Sequence, residues 1–119
     1  MQFLLMIYQG STPLPGSPAW NALPEAEQKR IYADYGALNQ APGVTPGLPL
    51  GLPQDARTVR VHEGRMQVAD GTYAEASRAI GGYLVLEAAD LDAALQLAAR
   101  IPAARLGGAV EVRPVAKYW

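Results

Sequence analysis

Two continuous apolar runs dominate the chain and predict its buried strands. Phe3 to Tyr8 reads Phe-Leu-Leu-Met-Ile-Tyr, and Tyr83 to Glu87 reads Tyr-Leu-Val-Leu-Glu. A strand that is wet on one face alternates apolar and polar residues, whereas these runs do not. We therefore expect both strands to be central in a sheet and covered on both faces.

Two other segments alternate. Thr58 to His62 and the following Met66 to Val68 predict a hairpin with Gly64 in its turn. The alternation directs Val59 and Val61 to the core and the polar side chains of the first strand to the other face. The last strand is expected at 110–115, with valines 110 and 112 inward and Glu111 and Arg113 outward.

Helical spacing of apolar residues predicts two helices. The first covers 23–38, with Asn21 as a candidate N-cap and Pro24 in its first turn. Its apolar face is formed by Leu23, Ile31, Tyr35 and Leu38. The second covers 91–101, with Asp90 as N-cap and an apolar face formed by Leu91, Ala94, Leu95, Ala98 and Ile101.

Proline and glycine mark two long connections, at 10–18 and 43–54. The second allows at most a short edge strand. It either lines a pocket or only ties the first helix to the hairpin. Trp20 lies between the first connection and the first predicted helix. We interpret it as a lid packed over the end of the core rather than as a ligand-stacking ring.

The order of elements predicts one domain over residues 1–119, an α+β ferredoxin-like sandwich with an antiparallel sheet and two helices on one face. Such a sheet leaves its other face open, and the apolar runs indicate that this face is not wet. The simplest cover is a second copy, so we expect a homodimer through the sheet face.

Composition narrows the function classes. The 119 residues carry 10 basic and 11 acidic side chains and a formal net charge of −1, so nothing favours nucleic acid as a partner. There is no cysteine and one histidine, which excludes disulfides and disfavours a zinc site. We see no signal peptide or membrane span, and we expect a cytoplasmic protein without metal or cofactor.

The connection from Asp70 to Gly82 joins two predicted strands and carries an acid, a turn glycine and an aromatic ring. Asp70 could act as a general base in a cleft. The alternative is that it caps the turn by accepting backbone N–H groups, as aspartate before glycine often does.

In this hypothesis, other side chains would bind the ligand together with Asp70. Arg60 or Arg113 would hold an anionic group, although an ion pair with an acid such as Glu111 is the alternative for both. Tyr73 would orient the ligand, and Tyr8 could direct its hydroxyl into a pocket or simply pack in the core. The single histidine, His62, adjoins the hairpin turn and is interpreted as exposed and idle.

Several blocks of the sequence together resemble the YCII-related, DGPF-domain family. They are the N-terminal apolar run, Asp-Gly-Thr-Tyr-Ala-Glu at 70–75, Gly-Gly-Tyr at 81–83, Ala-Ala-Asp-Leu-Asp-Ala-Ala at 88–94, Ala-Arg-Ile-Pro-Ala-Ala at 99–104 and Val-Glu-Val-Arg-Pro at 110–114. The similarity extends over nearly the whole chain. It departs from the family's Asp-Gly-Pro-Phe motif, since Thr72 replaces the proline and Tyr73 the phenylalanine.

The resemblance implies a dimeric α+β barrel, whose wider class includes isomerases, dehydrochlorinases and monooxygenases. Two functions stay open. The first is binding of a small organic molecule near Asp70, with cofactor-free acid–base chemistry of the isomerase or lyase type. The second is a non-catalytic regulatory or interaction module. The resemblance associates it with sigma factors of the extracytoplasmic-function type, because DGPF members are often encoded beside them. Whether the protein is an enzyme is left undecided.

Overall fold

The structure, a computed structural model, describes residues 1–118. Its strands are β1 (Gln2–Tyr8), β2 (Val44–Pro46), β3 (Arg57–His62), β4 (Arg65–Asp70), β5 (Ile80–Glu87) and β6 (Ala109–Pro114). Its helices are α1 (Pro18–Asn21), α2 (Glu25–Asn39) and α3 (Leu91–Ala98), and three short 3-10 turns lie at 53–55, 76–78 and 102–104.

Four strands form the main sheet, in the order β2-β5-β1-β6, with antiparallel pairing throughout. In chain order this is a strand–helix–strand unit followed by a second one, with β1 and β5 in the centre, as in ferredoxin-like folds. The predicted fold class is confirmed. The short edge strand that the sequence allows within 43–54 is β2, beside β5.

The core lies between one face of this sheet and the helices. Phe3, Leu5 and Ile7 of β1 point to this face together with Leu84 and Leu86 of β5. Leu38 of α2 and two alanines of α3, Ala94 and Ala98, pack against them. Small alanine side chains let α3 approach the sheet closely, and valines 110 and 112 of β6 point inward as predicted.

Within residues 1–118, no helix packs on the opposite face of the sheet. Leu4 and Met6 of β1 lie beside Val85 and Tyr83 of β5, and all four side chains are half-buried. Glu111 and Arg113 of β6 border this apolar patch, opposite Met6 and Leu4. Within one chain this face therefore stays partly open, although the apolar pattern predicts that it is covered.

The predicted hairpin forms, but it is not part of the main sheet. Strands β3 and β4 pair only with each other, through the turn at Glu63 and Gly64. We call this two-stranded unit, residues 57–70, the arm. Val59 and Val61 do not face the core: they are 57% and 71% exposed. That prediction is wrong, because period-two alternation shows that a strand has an apolar face but not what covers it.

With its arm, the molecule is less compact than a typical domain of the same length. The radius of gyration is 16.2 Å, whereas a compact chain of this length measures about 13.5 Å. The base of the arm is closed by backbone, since the Gly71 N–H donates to the Ala56 carbonyl over 2.8 Å. The Thr58 hydroxyl donates to the Gly71 carbonyl over 2.9 Å.

The helix caps correct one prediction and confirm another. Asn21 is not the N-cap of the long helix; it ends α1, and α2 begins after Pro24, which offers no side-chain acceptor. Asp90 does cap α3, since its carboxylate accepts the Ala93 N–H over 2.8 Å. Helix α3 ends at Ala98, earlier than predicted. Of its predicted apolar face, Leu91 and Leu95 are exposed.

Candidate functional site

A cavity of about 510 Å³ lies at the end of the sheet where β1 ends and β5 begins. It opens to solvent between α2 and two proline-rich segments, residues 12–15 and 47–52. This volume falls in the range of small-molecule sites. Of the two possibilities that the sequence leaves open for the 43–54 connection, the structure therefore shows that part of it lines a pocket.

The proline-rich segments form walls because they cannot continue the sheet. Pro13, Pro15 and Pro49 lack the N–H group that a strand ladder needs. The segment 47–52 is nevertheless fixed, since the Leu50 N–H donates to the Gly81 carbonyl over 3.0 Å. The opposite segment is fixed by a 2.8 Å hydrogen bond from the Thr12 N–H to the Gln9 carbonyl.

Aromatic rings from α1 and α2 form the third wall. Trp20 is buried and meets Tyr32 edge to face, with 5.3 Å between ring centroids and an interplanar angle of 72°. The Gln28 side-chain amide donates to the Trp20 carbonyl over 2.8 Å and so ties α1 to α2. Trp20 is thus buried and lines the cavity, while its interpretation as a lid over the end of the core stays a prediction.

Hydroxyl groups supply polarity in this apolar setting, since Thr12, Tyr32, Tyr35 and Tyr83 all line the cavity. The Thr12 Oγ1 atom is buried and has no hydrogen-bond partner among residues 1–118. Tyr35 projects from α2, and burial raises the pKa of its phenol, an effect that a backbone hydrogen bond with Ala103 and the charge of Arg105 partly oppose. Tyr35 therefore keeps its proton at neutral pH and can donate a hydrogen bond, but it is a poor base.

The lining carries no full charge. Among residues 1–118, no Asp, Glu, Lys, Arg or His side chain lines the cavity. Besides the hydroxyls, the polar side chains of this lining are the amides of Gln9 and Asn39 and the indole of Trp20. Over the part of the chain that the structure describes, no three His, Cys, Asp or Glu side chains are grouped so as to hold a metal ion. The arrangement suits binding of an uncharged molecule.

Asp70 lies elsewhere. It ends β4 at the base of the arm, its side chain is 88% exposed, and it lines neither of the two cavities described here. Its carboxylate oxygen lies 3.1 Å from Nε of Arg57, its cross-strand neighbour. Gly71 then turns the chain with φ of 91°, a conformation that glycine adopts at low cost.

The other predicted site residues are only partly brought together. The Arg60 guanidinium lies 5.8 Å from the centre of the Tyr73 ring, which is a cation–π contact. Arg60 lies on the face of the arm opposite Val59 and Val61. Arg113 instead pairs with Glu111 on its own strand, over 3.0 Å. Tyr8 is the last residue of β1 and is half-buried. His62 is exposed, and its Nε2 atom lies 3.8 Å from Oε1 of Glu63. None of these side chains lines the large cavity.

Sequence reasoning missed Gln9 and Thr12 as cavity residues, and it left open whether the connection at 43–54 lines a pocket. A signal was present, because two proline- and glycine-rich connections flank the ends of the two most apolar strands. Connections at strand ends often build binding sites on a rigid scaffold. Nothing in the pattern, however, shows that the two connections meet.

Fold and site together define a ferredoxin-like α+β protein with an uncharged cleft at one end of its sheet. A family model described as the YCII-related domain matches residues 1–118. The chain belongs to the YCII-related family, as its resemblance predicts. A comparison with curated proteins finds no match. No helix within residues 1–118 combines the length and apolarity needed to cross a membrane.

Proposed function

We propose that the protein binds a small, uncharged and largely apolar organic molecule in the 510 Å³ cavity. The observation that carries this proposal is the lining, which combines proline, leucine and aromatic side chains with isolated hydroxyl and amide groups. Pockets of this kind bind through apolar contact and use a few polar groups to orient the ligand. A carboxylate ligand would need a cation or several aimed donors, and the lining offers no cation.

Thr12 supports a ligand that forms a hydrogen bond. A buried hydroxyl without a partner costs about 1–3 kcal/mol; Thr12 is one of the lining residues, and its Oγ1 atom has no partner among residues 1–118. A ligand with a hydroxyl or carbonyl group would supply the partner. Tyr35, protonated and on the same cavity, offers a second donor.

The test compares the uncharged probe 4-methylphenol with the anion 4-methylbenzoate, using ligand-observed NMR and thermal shift. We expect the phenol to bind and the benzoate to bind at least tenfold more weakly. Thr12→Val should weaken phenol binding about fivefold, while leaving the free protein equally or more stable because an unpaired hydroxyl is removed. Tighter binding of the benzoate, or no binding of either probe, would overturn the proposal.

Acid–base chemistry at Asp70 remains a separate hypothesis. It has Asp70 as base, Arg60 or Arg113 holding an anion, Tyr73 orienting the ligand and Tyr8 contributing a hydroxyl. The contact between Arg60 and Tyr73 supports one part of it. Asp70→Asn distinguishes the two sites, since it should abolish binding at the arm and leave binding in the cavity unchanged.

The second candidate function is a non-catalytic interaction module that works as a homodimer. Its support is the apolar surface that one chain leaves uncovered. One part is the open sheet face, whose side chains are half-buried. The other is one face of the arm, where more than half of each side chain is exposed: Val59, Val61, Met66 and Val68. Apolar patches of this kind mark interaction surfaces. A sigma-factor partner remains a hypothesis that rests on the family resemblance.

Sedimentation velocity tests the homodimer. We expect a dimer at micromolar concentration, and Val61→Lys should weaken it by placing a charge on the apolar face of the arm. Gln67→Lys is the matched control, because Gln67 is also exposed but lies on the other face of the same hairpin. A monomeric wild type would contradict this candidate. Equal effects of both variants would exclude the arm from the interface and leave the sheet face, through which the homodimer is predicted.

A further inference from the structure

A second cavity, of about 190 Å³, lies directly beside the first. The two cavities share five lining residues, namely Gln9, Leu14, Leu50, Gly51 and Gly81. The two cavities therefore adjoin, and their shared wall combines the backbone at Gly51 and Gly81 with the side chains of Gln9, Leu14 and Leu50.

The second cavity is also uncharged. Beyond the shared wall it is lined by Gly10, Pro53, Ala76, Ala79 and Ile80. Small apolar groups of this kind would accept an aliphatic chain, which needs contact and no hydrogen-bond partners. Beyond the shared wall, these five described residues offer no polar side chain to recognise a polar end group.

The shared wall can change without movement of the backbone. Hydrogen bonds fix the backbone of Leu50 to Gly81 and that of Thr12 to Gln9. Leu14 and Leu50 also line both cavities, and a leucine side chain can change rotamer within a fixed backbone. Gln9 brings to the same wall a carboxamide that both donates and accepts hydrogen bonds.

We propose that the two cavities form one elongated site for a neutral amphiphile. Its ring occupies the large cavity, a carbonyl-bearing linker lies at Gln9, and its unbranched aliphatic tail passes Leu14 and Leu50 into the small cavity. This inference rests on the proposed function, since it names the class of molecule that the same site takes.

A series of anilides tests it: acetanilide, butyranilide, hexananilide and decananilide, which share one ring and linker and differ in tail length. Each methylene that enters the small cavity should strengthen binding about fourfold. The gain should stop once that cavity is full. Ala79→Phe, which fills the small cavity, should remove the gain while leaving acetanilide binding within twofold of wild type.

The matched control is Ala74→Phe, because Ala74 is exposed on the same connection and lines neither cavity. It should preserve the dependence on tail length. If 4-methylphenol binds but affinity does not rise along the series, the elongated site is wrong and the proposed function stands. If neither 4-methylphenol nor any anilide binds, the proposed function itself is overturned.

Discussion

The side chain of Gln9 packs directly on the bare backbone of Gly81. A Cβ atom at position 81 would overlap the Gln9 side chain, with its Cγ, Nε2 and Cδ as the nearest atoms. Gly81 is therefore required for lack of a side chain and not for an unusual φ angle. Because both residues lie in the wall shared by the two cavities, this contact sets where the Gln9 carboxamide points.

Gly81→Ala should displace Gln9 and impair the cavity. We expect a loss of about 1–3 kcal/mol in the free energy of unfolding, the usual cost of overpacking. Binding of 4-methylphenol should weaken at least tenfold. Urea unfolding and ligand-observed NMR measure the two effects, and unchanged affinity would show that Gln9 does not shape the site.

Gly36→Ala is the matched control and a prediction in its own right. Gly36 lies exposed in the interior of α2, and a Cβ there would meet no atom within 4 Å. Alanine should therefore raise the free energy of unfolding by about 0.5–1 kcal/mol without altering ligand binding. Destabilisation in urea would contradict this interpretation of the helix.

Most of the main sheet and its helices could be predicted, because hydrophobic periodicity reports burial directly. The runs around Leu5 and Leu84 and the helical face around Leu38 all meet in one core. The arm could not be predicted in the same way. An alternating strand has one apolar face whether that face meets its own core, another chain or water.

The candidate site was predictable only in part. An acid and a turn, as at Asp70 and Gly71, can be recognised from single residues in the sequence. The cavity around Thr12 and Leu50 depends on two distant connections that meet only in the folded chain. Their proline and glycine content indicates loops but not their contact.

Leu5 and Val61 should respond very differently to truncation. Leu5 is 0% exposed in the core, so Leu5→Ala should cost about 2–5 kcal/mol of unfolding free energy. Val61→Ala, on the arm, should change the stability of the monomer by less than about 0.5 kcal/mol. Urea titration at a concentration where the protein is monomeric compares them. A comparable loss in Val61→Ala would mean that the arm packs on its own chain.

Asp70→Asn should have little effect on folding. The ion pair with Arg57 is exposed on both sides, and such pairs contribute less than about 1 kcal/mol because water and salt screen them. We also expect binding of 4-methylphenol to stay within twofold of wild type. Loss of that binding, with an unchanged unfolding midpoint, would favour the arm site over the cavity.

Asp90→Ala should weaken α3. The Asp90 carboxylate accepts the Ala93 N–H over 2.8 Å, and removing an N-cap of this kind costs about 1 kcal/mol. Asp90→Ser keeps an acceptor at the same position and should recover most of the loss in urea unfolding. If serine does no better than alanine, the cap hydrogen bond is not the source of the stability.

The pH dependence of stability should reveal the buried phenol of Tyr35. Burial raises its pKa above the ordinary value of 10.0, so the folded state holds this proton more tightly than the unfolded chain does. The contribution to stability is therefore fully present below about pH 10 and is lost as the pH rises through the folded-state pKa. Tyr35→Phe has no proton to lose at this position.

The free energy of unfolding of wild type relative to Tyr35→Phe should be constant from pH 8 to about pH 10 and fall above it. Ile31→Val is the control, because it alters the same wall without removing an ionisable group, and its difference from wild type should not depend on pH. A constant difference between wild type and Tyr35→Phe up to pH 11 would show that the phenol is as solvated in the folded protein as in the unfolded chain.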